Sequence, residues 1–203
     1  MRKNGFRIDR NGLPNDYPTH LHQPKFWAEL GRTIATFGFL EETLGRAIFA
    51  INLTTEYDEK DIDKALERWK STLHLNLTDT LPPLAERFEA GVKAHQDADK
   101  ARAEHIAAEV KRLAEIRNAL CHGSWRKPDV RGASQLHYIA RKAVTDTGVK
   151  SFEPKISIKW LQKRRREALE LVCDVIDTVT ELGWQFPGSA GPGDEIWPAK
   201  KKS

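Results

Sequence analysis

Three side chains near the end of one amphipathic stretch have the types that phosphate chemistry uses. In "AEIRNALCHGSW", residues 114–125, Arg117, Asn118 and His122 come in quick succession just before Gly123. A guanidinium is a permanent cation with five N–H donors, and an amide both donates and accepts. Histidine ordinarily titrates near neutral pH, so it can give and take protons at working pH. Asn118 and His122 stand four residues apart, which places them on one face of a helix. A cation, an amide and a proton carrier lining one concavity suit a phosphodiester: the arginine neutralises the phosphate while the histidine moves protons. No group of carboxylates is required, so the expected site takes neither a metal nor a cofactor.

The position of the arginine is as informative as its type. The apolar residues of this stretch are Ile106, Val110, Leu113 and Leu120, and Arg117 fills the step between the last two. A guanidinium on an apolar stripe needs a charged partner or a polar cleft. An earlier helix carries a matching exception. Glu41 lies on the apolar face of "FGFLEETLGRAI", between Phe37 and Ile48, whereas Glu42 points well away. If the two helices pack, Glu41 can pair with Arg117 and hold it in one geometry. The plain alternative is a salt bridge that serves only the specificity of packing.

Other residues carry weaker signals. "KWLQKRRRE", residues 159–167, offers Lys163, Arg164, Arg165 and Arg166 for RNA-backbone contact, against the ordinary reading of a solvated helix face. Trp160 beside them fits the core better than a base-stacking platform. His95, Asp97, Asp99 and His105 are metal-capable types that no single helix face gathers. Cys121 adjoins His122, but neighbours on a helix point about 100° apart, so it is expected as a small buried apolar residue rather than a nucleophile. Trp125 is expected to pack under the strands that follow.

The elements that must position these residues are mostly helices. The chain has 203 residues, 39% hydrophobic and 31% charged, with a net charge of +4 and two cysteines. That suffices for one core and gives no disulfide framework. No run approaches a membrane span, and the first residues lack the apolar stretch of a secretory signal, so a soluble, cytoplasmic protein is expected. Residues 1–23 are predicted as an irregular arm. Helices are predicted over about 24–52, 58–76, from the Pro pair at 82–83 onward, and 97–121, with Gly123 as a stop. Strand-like runs at 135–143 and 149–158 around "TDTG" predict a β-hairpin. A last helix follows over about 158–182, and 185–203 is a Pro/Gly-rich tail. Gly31, Gly38 and Gly45 recur every seventh position and are expected to admit a close helix. The expected fold is an all-α antiparallel bundle over 24–184, with a hairpin inserted before the last helix.

"RNALCH" resembles the R-N-x-x-x-H signature of the HEPN superfamily, and the acid-bearing helix "FGFLEETLGRAI" is similar to the family's early helix. The resemblance covers about residues 30–122 and the last helix. It implies a small helical domain that works as a homodimer, with the two arginine–histidine sets meeting across the interface. It implies a metal-independent endoribonuclease of the kind found in toxin–antitoxin and phage-defence systems, with RNA as substrate and an antitoxin protein as a further partner. Arg117 and His122 would then be catalytic, Asn118 would assist them, and Glu41 would support the set. Some members of the family are instead non-catalytic dimerisation or nucleotide-binding modules.

Overall fold

A computed structural model describes residues 5, 7–55, 58–96, 98–139 and 154–183. They form five α-helices, α1 (Pro24–Thr54), α2 (Ile62–Thr78), α3 (Leu81–Ala94), α4 (Lys100–His122) and α5 (Ile158–Glu181), with a single 3-10 turn at Glu59–Asp61 ahead of α2. Between α4 and α5 lie three short strands, β1 (Ser124–Trp125), β2 (Ser134–His137) and β3 (Lys155–Ile156). The fold is therefore mainly helical, as the 3.6-residue periodicity predicts. None of the described helices is long and apolar enough to cross a membrane.

The starts of the helices follow local chemistry. Pro24 opens α1, where its missing N–H costs nothing. Asp99 accepts the Arg102 amide at the head of α4, and Ser157 accepts the Trp160 amide at the head of α5. Asp99, one of the metal-capable residues, is thus engaged as a cap. Its neighbour Asp97 lies outside the described residues.

Each apolar stripe meets another. Phe37, Leu40, Leu44, Ile48 and Ile51 of α1 are buried, as are Ile106, Val110, Leu113 and Leu120 of α4 and Leu161, Ala168, Val172, Val175 and Val179 of α5. The long α1 packs most extensively on α5, and also on α3, α2 and α4; α3 packs closely on α4. Of the three evenly spaced glycines, only Gly45 serves a close approach. A Cβ there would run into the Asn76 carbonyl oxygen of α2, whereas Gly31 and Gly38 have nothing within 4 Å. Those two positions are exposed, so the heptad spacing does not mark one continuous contact.

The sheet exceeds the predicted hairpin by one strand. β2 pairs antiparallel with β3 in the register Ser134↔Ile156, and β1 pairs antiparallel with β2 in the register Trp125↔Leu136. Residues 140–153, with the "TDTG" turn, and the tail from 184 onward lie outside the described residues. β1 follows α4 after one residue, so the strand and the end of the helix are positioned together.

The arm ends in an anchor. His22 is buried, its Nε2 sharing a hydrogen bond with Ser134 Oγ at 2.5 Å. The ring stacks on Phe26 and meets the edges of Trp27 and Trp125. Phe26, Trp27 and Trp125 complete an aromatic cluster with ring centres 5.0 to 6.1 Å apart. Trp125, expected under the hairpin, is itself in β1 and joins the sheet to the start of α1.

Candidate active site

Arg117, Asn118 and His122 all lie in the last two turns of α4. Its end is fixed from three sides. The Gly123 amide donates to the Ala119 carbonyl at 2.9 Å, β1 pairs with β2 at once, and Trp125 is held in the aromatic cluster. Gly123 does end the helix, though not through a left-handed turn: its φ of −82° and ψ of 152° are extended. Glycine is needed for space. A Cβ there would stand 2.5 Å from Leu136 Cδ1 and 2.7 Å from the Ala119 carbonyl oxygen. The chain leaves α4 pressed beneath a buried leucine, which fixes the backbone on which His122 stands.

Arg117 and Glu41 are close but loosely joined. Arg117 Nη2 lies 3.5 Å from Glu41 Oε1, linking α4 to α1. The two side chains are 26% and 22% exposed, so the stripe of α4 has reached the rim of the core by its last turns. Glu41 Oε1 is buried and accepts no hydrogen bond among the described residues. Glu42 points to the surface and pairs with Arg46 one turn on, as its position around the helix predicts.

The guanidinium turns toward the amide. Arg117 Nη1 donates to Asn118 Oδ1 at 3.3 Å. Five residues separate Arg117 from His122, about 140° around an ideal helix, so their Cβ atoms diverge. Asn118 bridges that angle, because it touches the guanidinium and stands one turn below His122 on the same face. His122 is exposed at the final position of the helix. The arrangement offers a half-buried cation with most of its donors unengaged among the described residues, an oriented amide and a solvent-reachable imidazole. Such a set can bind an anion and exchange a proton with it.

Cys121 corrects an expectation: it is exposed, as is Cys173. Position 121 falls outside the α4 stripe, whose last buried members are Ala119 and Leu120.

The basic run of α5 separates into two kinds of residue. Arg165 Nε donates to Glu29 Oε1 at 2.8 Å across the α1–α5 contact. Arg164 pairs with Glu167 at 2.8 Å and lies 5.3 Å over the Trp160 ring, while Glu167 also accepts from Arg112. Lys163 and Arg166 are exposed, and with Lys159 they fall on one face at steps of four and three. Sequence reasoning missed Glu29, although the signal was present. It stands in the α1 stripe three residues after Phe26 and four before Thr33, all of them buried.

No family model matches the chain, and no curated protein or solved structure does.

Proposed function

We propose that the protein is a metal-independent endoribonuclease of HEPN type that acts as a homodimer and cleaves RNA through Arg117 and His122. The observation that carries the proposal is the Arg117–Asn118 contact one turn below His122, with Glu41 behind the guanidinium. A cation held from one side by a carboxylate and an amide keeps donors for a phosphate on the other.

RNA supplies its own nucleophile. In the proposed reaction the 2′-hydroxyl attacks the adjacent phosphorus and the bond to the 5′ oxygen breaks. A base removes the 2′ proton and an acid protonates the leaving oxygen, giving a 2′,3′-cyclic phosphate and a 5′-hydroxyl. One His122 from each subunit would fill the two proton-transfer roles, and Arg117 would stabilise the charge that builds on the phosphoryl oxygens. Asn118 orients the guanidinium. Lys163 and Arg166 would hold the RNA backbone from α5; Arg164 and Arg165 would act through the packing of that helix. Such an enzyme suits a toxin or phage-defence effector restrained by an antitoxin protein.

The test is incubation of purified protein with RNA in excess EDTA. Cleavage giving cyclic-phosphate ends, with DNA of the same sequence left intact, is expected. A folded protein that cuts no RNA across varied sequences and structures would favour a non-catalytic dimerisation or nucleotide-binding module.

A further inference from the structure

The connection from β1 to β2, residues 126–133, carries Arg126, Lys127 and Arg131, all exposed. None of the three takes part in an ion pair among the described residues, in contrast to Arg164 and Arg165 of α5. One acid stands among them, Asp129, and it is engaged within the loop. Its Oδ1 accepts the Arg131 and Ala133 amides and its Oδ2 accepts from Lys155 Nζ at 3.0 Å. Lys155, then the two backbone amides, hold the Asp129 carboxyl below its usual range, so it stays ionised and bound to these partners.

Backbone bonds complete the turn. The Gly132 amide donates to the Asp129 carbonyl, the Asp129 amide to Ala133, and the Arg126 amide to Gln135. Gly132 takes the left-handed conformation the turn requires, with φ of 73°. Val130 at the tip is fully exposed at 104%. The result is an ordered hairpin tip with three exposed cations that no acid among the described residues pairs with. Its ordering cost is met on folding, which favours a polyanion over the same cations on a loose loop. Its root lies close along the chain to the candidate site. Arg126 is four residues beyond His122, at most about 14 Å of extended chain.

We propose that this hairpin tip is an RNA-backbone contact, with Arg126, Lys127 and Arg131 guiding a single strand toward the end of α4. The inference rests on the ribonuclease reading for its choice of polyanion, and binding tests it separately from cleavage.

The probe is a fluorescein-labelled single-stranded RNA titrated with the full chain carrying His122→Ala, followed by anisotropy from 50 to 200 mM salt. On that background Arg126, Lys127 and Arg131 are changed together to Gln, which leaves the backbone bonds of the turn available. Loss of three phosphate contacts predicts a plot of log affinity against log salt shallower by about 2, at about 0.7 per contact for single strands, and binding at least about tenfold weaker at low salt. Unchanged affinity and slope in the triple variant, whether or not the wild-type protein cleaves RNA, would overturn the hairpin inference alone. Hairpin-dependent binding by a chain whose wild type never cleaves would sustain it while removing the nuclease. No RNA binding at all, or binding only to an acidic protein partner, would overturn both.

Discussion

Among the described residues, the arginine–glutamate pairs Glu29–Arg165 and Glu41–Arg117 each join α1 to another helix, and they are built differently. Glu29 and Arg165 meet at 2.8 Å in a direct hydrogen bond, with the Glu29 side chain only 5% exposed. Arg32 stands near the same carboxylate at 3.7 Å. Glu41 and Arg117 approach only to 3.5 Å, without a hydrogen bond, and both are about a quarter exposed. A buried carboxylate held tightly by a guanidinium is a structural clamp, since leaving it alone in the core is costly. A looser pair at the rim, beside an amide and an exposed histidine, retains donors for something else. The same two residue types therefore lock the widest helix contact at one place and are proposed to serve phosphate chemistry at the other.

Breaking the tight pair should have the largest effect on stability. Arg165→Ala leaves Glu29 with only the more distant Arg32, and a loss of about 2–3 kcal/mol is expected in urea unfolding. RNA cleavage by the molecules that remain folded should change little. A loss below about 0.5 kcal/mol would mean that the two pairs do not differ in the way their geometry indicates.

Gly123→Ala probes how the end of α4 is held. Its Cβ must displace Leu136 or the last helical turn, for an overpacking cost of about 1–3 kcal/mol. Because the clash adjoins His122, activity should fall further than stability in this variant. Thermal melts measured alongside cleavage rates separate the two effects.

The loose pair should matter less to the fold. Arg117→Ala is expected to cost about 1–2 kcal/mol, less than Arg165→Ala because Glu41 is only partly buried, while abolishing cleavage. Arg117→Lys keeps the charge and loses the planar fork; it should restore most of the stability and little of the rate. Equal destabilisation by Arg117→Ala and Arg165→Ala would remove the distinction between clamp and site.

These differences were unevenly legible in the sequence. The helices were legible because long stripes with 3.6-residue spacing identify themselves, and Glu41 and Arg117 stood out as charges on those stripes. Glu29 breaks the same rule at the start of the α1 stripe, and its role depends on Arg165, 136 residues away in the chain. β1 has two residues, too few to show alternation, and is defined by its pairing with β2. Gly123 was legible as a helix stop. Its steric role required knowing that Leu136 lies over it. The expectation that Cys121 is buried failed because the helix has already turned that position outward. The basic run was legible as charge, but which cations are engaged depends on acids from other helices.

The smallest expected effect comes from the anchor of the arm. Burial among Phe26, Trp27 and Trp125 holds the His22 imidazole below its ordinary titration range. A histidine depressed in the fold binds protons more readily when unfolded. Stability should therefore be full above the ordinary value near 6.5 and decline as pH falls from there toward the lower folded value. His22→Phe should flatten this part of the profile of melting temperature against pH. A slope that persists unchanged would assign it to other groups.

The proposed division between clamp and site is tested most directly by one cleavage measurement. Wild-type protein, His122→Ala and Arg165→Ala are compared on one RNA in excess EDTA, at a temperature where circular dichroism shows all three folded. The prediction is metal-independent cleavage by the wild type, a rate lower by about 10²–10⁴-fold in His122→Ala, and a rate within a few fold of wild type in Arg165→Ala. Undiminished cleavage by His122→Ala, or no cleavage by the wild type, would contradict it.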